Sequence, residues 1–291
     1  MRGQSHENGH AMRSSQEHST AAADPFDVDV GVVYTYEREW MNRLLSTLAG
    51  SAHGVRMRVV LVDNHSGEDL GRWKQYVAPT IVEKNPRRLS YAANMNRVLR
   101  VSSARYVLLL NTDMFFDPHN QCLGRMVRFM DRHPGCGVAG CRLYRGDGQF
   151  AYPARRFQTL PAILGRRLGL ERLTARALDD YLYRNRSPED SWECDWLSGC
   201  FLMLRREAFE DVGFFDEGFV KYFEDVDMCY RMARSGWKVM YHGGAYGYHL
   251  ERRASLNLFT RDAARHLRSY LRWHWKWGFS YSADLPRPAA A

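Results

Sequence analysis

"VRMRVVLVDNHSGED", residues 55–69, and "RYVLLLNTDMFFD", residues 105–117, decide the fold. Each contains a short Val- and Leu-rich run that stops abruptly in polar turn residues. Such runs mark strands buried on both faces, as in a parallel sheet. The pattern extends outward from them. "DVDVGVVYTY", residues 27–36, adds a β-branched strand through Val28, Val30, Val32 and Val33. "EWMNRLLSTLAG", residues 39–50, has helical spacing and Gly50 as a candidate C-cap. "TIVEKN" (80–85) reads as a short strand and "SYAANMNRVLRVS" (90–102) as a helix. This β-α-β-α-β rhythm argues for the α/β class, with one mostly parallel central sheet flanked by helices. In such sheets ligands bind outside the carboxyl ends of the strands. Asp63 and Asp113 close two of these strands and are therefore expected in one crevice.

Bulk composition narrows the partners. The chain has 291 residues and a net charge of +8. Excess positive charge favours phosphates, nucleic acid or an anionic membrane surface. The arginines are dispersed and no nucleic-acid motif is present, so nucleic acid is excluded as a partner. The six cysteines include no C-x-x-C pair and no zinc-finger spacing, which points to a reducing, cytoplasmic compartment. No signal-like segment and no membrane-spanning apolar run is expected. Residues 1–25, with His6, His10 and His18, read as a disordered tail, 26–253 as one domain, and 254–291 as a helical extension. The segment "PARRFQTLPAILGRRLGLERLTARALDDY", residues 153–181, reads as helical and basic, and "WKVMYHGGAYGYHL", residues 237–250, as a strand pair.

Several residues carry candidate chemistry. Asp63, with Asn64 beside it, is placed to accept hydrogen bonds from a base or ribose. Asp113 ends a buried strand with Asn111 two residues before it, an arrangement that suits a hard divalent cation plus substrate phosphates. Arg87 and Arg88 read either as diphosphate contacts or as solvated charge. Ser198 and Gly199 form a small-residue turn that lets a sugar approach the backbone. Trp196 stacks on a sugar or belongs to the core, and His249 is a metal ligand or structural. In "YFEDVDMCYRM", residues 222–232, three acids open an apolar-periodic helix. At about 100° per residue, Asp225 and Asp227 point to different sides. Asp227 has Arg231 four residues on as an ion-pair partner. Asp225 has no cation in sequence reach, so it is the candidate general base, with Glu224 as its neighbour.

These segments, in this order from about Val28 to Arg253, resemble the inverting family 2 glycosyltransferases of the GT-A fold. They look most like the rhamnosyltransferase-like branch that builds bacterial surface polysaccharides. The resemblance implies that Thr35, Tyr36 and Glu37 meet the nucleotide, that Asp63 binds the base or ribose, and that Asp113 and Asn111 form the metal motif. It also implies Asp225 as catalytic base beside Glu224, and His249 as a late metal or diphosphate residue. The implied cofactor is Mg²⁺ or Mn²⁺. The implied donor is a dTDP or UDP sugar, with rhamnose the leading candidate, and the acceptor is a glycan or polyprenyl-linked. A homodimer is a further expectation, and a non-catalytic sugar-nucleotide-binding scaffold is the alternative function. "TYERE" departs from the usual T-Y-N-R, Arg97 and Val98 replace a Gly after Asn96, and "NTD" has one carboxylate.

"NLFTRDAARHLRSYLRWHWKWGF", residues 257–279, has Phe259, Ala263, Leu267, Tyr270 and Trp277 on one helical face, with Arg261, Arg265, Arg268 and Arg272 on the other. Two roles fit: a helix lying in a membrane interface, peripheral on the inner face of the cell membrane, or one packed on the domain with a solvated basic face.

Overall fold

The computed structural model describes residues 25–157, 171–250 and 261–278. The expected tail, apart from residue 25, lies outside the described residues, as do residues 158–170 and Phe259.

The first half is built as the sequence rhythm requires. β1 (Val28–Tyr34), α1 (Arg38–Ser51), β2 (Met57–Asp63), β3 (Thr80–Lys84), α2 (Tyr91–Val101) and β4 (Tyr106–Leu110) alternate along the chain. β1 is parallel to β2 and β4, and β2 is parallel to β3. Val30 lies opposite Val59 and Leu108, and Tyr34 opposite Asp63. Side chains alternate between two cores, as a pleated strand dictates. Val59, Leu61, Leu108 and Leu110 join the core on one face; Val60, Val62, Val107 and Leu109 join the core on the other. This double burial explains why the strands are almost wholly apolar. Gly31 lets α2 close onto the sheet, because a Cβ there would collide with Val98.

The second half completes a mixed sheet in the order β3-β2-β1-β4-β10-β6-β11-β5, with β8 pairing β11. Its members are β5 (Met114–Phe115), β6 (Cys136–Tyr144), β8 (Ser191–Glu193), β10 (Phe201–Arg205) and β11 (Lys238–His249). α3 (Cys122–Arg132) leads into β6, and α4 (Glu171–Tyr181) precedes β8. The sheet is parallel from β3 to β4. β10 then runs antiparallel to both β4 and β6, while β6 and β11 are parallel. β7 (Ala154–Arg155) and β9 (Trp196–Leu197) make a separate two-stranded sheet. The segment expected to form a strand pair is the single strand β11. Its register against β6 shifts between His242 and Tyr246. A Cβ at Gly243 would collide with the Glu189 and Asp190 backbone, so the glycines serve a bulge and a close approach rather than a hairpin turn.

α5 (Arg206–Val212) and α6 (Glu224–Arg234) cover the second core, and α7 (Arg261–Trp277) packs against α6. Trp273 is buried among Phe157, Phe223 and Tyr230. Arg272, expected on a solvated face, instead pairs with Asp216 at 2.9 Å. All six cysteines are buried and free, acting as small hydrophobes. Among the described residues no helix is long and apolar enough to cross a membrane.

Candidate active site

A cleft of about 1090 Å³ opens at the carboxyl ends of β1 and β4. Of the residues expected to meet a nucleotide, Thr35, Glu37, Asn64 and Arg88 line it. Of those expected at a metal, Asn111, Asp113 and His249 line it; of those expected at the sugar, Trp196 and Ser198 do. Asp225 also lines it. Tyr36, Asp63, Gly199 and Glu224 are not among its lining residues.

Each of these four has a different placement. Tyr36 is 57 % exposed at the rim, its ring beneath the Arg88 guanidinium at 4.9 Å. Asp63 is buried, and its Oδ1 accepts the Ser66 N–H at 2.7 Å, bracing the turn after β2. Gly199 supplies its peptide rather than an open surface: its N–H donates to Asp225 Oδ2 at 2.8 Å. Glu224 is buried beneath the cleft.

The floor is built by short polar links. Glu37 Oε2 accepts the N–H groups of Thr35 and Tyr36 at 3.0 and 2.9 Å, which shapes the loop after β1. Asn64 Oδ1 accepts the Leu89 N–H at 2.8 Å and Asn85 Nδ2 at 3.1 Å. Asn85 also donates to Asn94 Oδ1 at 2.6 Å, so three amides join the β2 end to the start of α2. Asn96 exchanges two hydrogen bonds with the Phe215 backbone, both 2.9 Å, tying α2 to the loop ahead of α6.

α6 begins at Glu224, where the acid triplet had placed it. Asp227 is fully buried, with Arg231 Nε, Lys276 Nζ and Trp277 Nε1 each 2.8 Å away. It fastens helices together. Asp225, two positions earlier, is turned to the cleft. Burial raises its pKa, opposed by the Gly199 and Val226 N–H groups and by the charge of Arg155. Burial, and then the Asp225 charge, push Glu224 up to about 8. Glu224 Oε2 has no hydrogen-bond partner among the described residues, in keeping with a carboxyl that does not ionise readily. Tyr222 and Phe223 both hold φ of 70° just before this turn, a left-handed pair that costs about 1–3 kcal/mol per residue. Such strain clusters where side chains must be aimed.

Asp113 and His249 face each other, Oδ1 to Nε2 3.2 Å. β5 and β11 bring them together, with His249 paired to Met114. Burial lowers the imidazole pKa, but Cys200 and the Asp113 carboxylate more than offset it, and the net shift is upward. Among the described residues no group of three or more His, Cys, Asp or Glu side chains converges as a metal cage. Once the imidazole gives up the proton it shares with Asp113, a carboxylate oxygen and an imidazole nitrogen at the cleft wall fit two positions of an ion that takes its remaining ligands from substrate phosphates and water.

Several cleft residues escaped the sequence reading, Tyr91, Arg155 and His266 among them. Tyr91, the first residue of α2, donates its hydroxyl to the Gly199 carbonyl at 2.5 Å. Arg155 lies over the Trp196 ring at 5.0 Å, and Trp196 is pinned by its Nε1 donating to the Arg156 carbonyl at 2.8 Å. Trp196 is thus both nearly buried and cleft-lining. His266, on α7, lines the cleft as well. Ser90 followed by Tyr91 looks like ordinary helix-start chemistry, and Arg155 is one of many arginines, so neither carries a local signal.

The chain is similar to known proteins in sequence and in shape. It is 30 % identical over 168 residues to N-acetylglucosaminyl-diphospho-decaprenol L-rhamnosyltransferase of Mycobacterium tuberculosis, a match covering 57 % of this chain and 52 % of the relative. It is 30 % identical over 79 residues to rhamnosyltransferase WbbL of Escherichia coli K12, covering 27 % of this chain and 30 % of that one. The chain therefore spans about half the length of the first relative and less of the second. Among solved structures, GalNAc-T7 with UDP, GalNAc and Mn²⁺ superposes with TM-score 0.62 at 14 % identity, covering 88 % of this chain and 49 % of that one. The mannosyltransferase PcManGT of Pyrobaculum calidifontis, with GDP-Man and Mn²⁺, superposes with TM-score 0.55 at 16 % identity, covering 81 % and 61 %. These likenesses show the GT-A fold. The profile described as Glycosyl transferase family 2 matches residues 29–213, from β1 through α5, and the chain belongs to that family.

Proposed function

We propose that the chain is an inverting glycosyltransferase that moves a sugar, rhamnose first among candidates, from a dTDP or UDP donor to a glycan or polyprenyl-linked acceptor in bacterial surface polysaccharide synthesis. The observation that carries this reading is Asp225. It is a carboxylate of raised pKa, fixed by the Gly199 peptide, in the same cleft as Asp113, His249 and Arg88. The names of the sequence relatives support the rhamnosyl donor and the lipid-linked acceptor.

In this reading the donor nucleotide lies along Thr35, Asn64 and Arg88. Asp113 and His249, with Asn111 beside them, would hold Mg²⁺ or Mn²⁺, and a divalent ion there would supply positive charge against the diphosphate. Asp225 accepts the proton of an acceptor hydroxyl as its oxygen forms a bond to the anomeric carbon. The bond from that carbon to the diphosphate oxygen breaks on the opposite face, and its electron pair leaves with the diphosphate. One displacement inverts the configuration and needs no enzyme nucleophile. Glu224, kept protonated beside Asp225, avoids a second charge and leaves Asp225 as the ionised base. The protein works in the cytoplasm at the inner face of the membrane, where a polyprenyl-linked acceptor is presented.

Incubation with Mn²⁺, a panel of nucleotide sugars and a polyprenyl-diphosphate-linked sugar tests this. One donor should release its nucleoside diphosphate and glycosylate the lipid with inverted configuration. Nucleotide binding without transfer from any donor would favour the scaffold function instead.

A further inference from the structure

α7 has two faces with different partners. Its inner face is fastened to the domain. Trp273 is 1 % exposed, Ser269 Oγ donates to the Lys221 carbonyl at 2.9 Å, and Lys276 and Trp277 reach Asp227. Its outer face carries Leu267, Leu271 and Trp275, which are 45, 59 and 84 % exposed. They follow at i, i+4 and i+8, so they form one stripe about 80° wide. Exposed Ala264 falls within it, exposed Arg268 lies along one edge, and exposed Arg265 lies beyond that. The other large exposed hydrophobics among the described residues, Tyr36, Tyr76 and Val220, are scattered through the sequence. Packing on the domain does not account for the stripe, since α7 already buries a separate aromatic face there.

We propose that this stripe seats on an anionic phospholipid surface, with the apolar row entering the headgroup–acyl boundary and the arginines meeting lipid phosphates. The chemistry is complementary on both counts. A Trp and two Leu beside a basic edge is the composition of an interfacial helix. Each Arg near an anionic leaflet adds attraction, and the whole chain carries +8 of the same sign. At 17 residues α7 lies in the plane of the interface rather than crossing it. Lipid binding by this face does not rest on the lipid-linked acceptor proposed above.

Flotation of the full chain with phosphatidylcholine vesicles, with and without phosphatidylglycerol, tests the proposal. The wild type should float with the anionic vesicles and much less with the neutral ones. Leu271→Asn with Trp275→Asn should weaken partitioning by about tenfold or more. Arg265→Glu with Arg268→Glu should remove the preference for anionic lipid. The stripe variant should keep the wild-type melting temperature, because its altered side chains are exposed. Wild-type protein that stays with neither vesicle, or a stripe variant that floats as wild type does, would overturn the proposal. So would a wild-type dimer in sedimentation that the stripe variant dissolves without any lipid binding, which would make a second copy the occupant. Vesicle binding without sugar transfer from any donor would leave docking standing and remove the enzymatic reading; transfer without vesicle binding would do the reverse.

Discussion

Gly199 links Tyr91 to Asp225: its carbonyl accepts the Tyr91 hydroxyl at 2.5 Å and its N–H donates to Asp225 Oδ2 at 2.8 Å. One peptide unit, held at both ends, fixes the carboxylate assigned as base. A Cβ at position 199 would approach Asp225 Oδ2 at 3.2 Å and the Tyr91 hydroxyl at 3.4 Å, so glycine suits this close contact.

Tyr91→Phe removes the outer hydrogen bond of this relay and keeps the ring. A neutral hydrogen bond contributes about 1 kcal/mol, so kcat should fall about fivefold with donor KM unchanged. The freed Gly199 peptide holds Asp225 less firmly. Because that N–H lowers the Asp225 pKa, the acid limb of the pH–kcat profile should move to higher pH. A fall in stability with kcat and the limb unmoved would make Tyr91 merely structural.

Glu224 should make stability pH-dependent. Its folded-state pKa is raised from 4.5 to about 8, so the native state holds a proton that the unfolded chain has lost. The stabilisation is complete below about pH 4.5 and is lost as pH rises toward 8. Glu224→Gln cannot ionise and should lose less stability across that window. Melting curves at pH 5 and pH 8.5 should separate the two proteins by a few degrees more at the higher pH, given about 2–4 °C per kcal/mol for a domain of this size. Parallel pH dependence of the two proteins would contradict the assignment.

Asp227 and Asp225 should separate by phenotype. Asp227→Ala removes the carboxylate that Arg231 meets within α6 and the contacts of Lys276 and Trp277 that link α6 to α7, while Arg231 keeps the Val212, Gly213 and Phe214 carbonyls and Lys276 keeps Asp216. Removing one partner of a buried pair costs about 3–5 kcal/mol, so urea unfolding should show a loss of that order. A stable Asp227→Ala protein would mean the helices are held by aromatic packing alone.

Asp113 and His249 should govern how a divalent ion aids nucleotide binding. With Mn²⁺ present, Asp113→Ala should weaken nucleoside diphosphate binding about tenfold in calorimetry, and His249→Ala should do so in the same direction. Chelation should weaken the wild type and leave Asp113→Ala nearly unchanged. Equal sensitivity of both proteins to chelation would place the ion elsewhere.

How far the sequence reached follows from which features are local. The end of β2 was legible because an apolar strand that stops at an acid is a local pattern; β4 stops earlier, at Leu110, and Asp113 lines the cleft from three residues beyond it, while Asp63 does not line it. The start of α6 and the split between Asp225 and Asp227 followed from a period of 100° and one nearby arginine. The direction of β10 was not legible, since four apolar residues and an arginine carry no orientation. Gly243–Gly244 suits a hairpin and a bulge equally, and only contact with the 189–190 backbone decides between them. Asp63 reads as a ligand from its position, yet its Oδ1 is engaged by its own turn. On α7, apolar residues occupy most of the circumference. Periodicity therefore grouped Leu267 with Tyr270 and Trp277, whereas Leu267 faces out and Trp277 is held by Asp227. Arg155 reaches the cleft through the pairing of β7 with β9, a contact across about forty residues with no local mark.

The most direct test of the central claim is nucleoside diphosphate release by Asp225→Asn in the presence of acceptor, measured beside nucleotide affinity and melting temperature. The amide can still accept the Gly199 N–H but cannot take a proton. Release should fall by about 10²–10⁴-fold while affinity and melting temperature hold. Turnover within a few-fold of wild type would show that Asp225 is not the base.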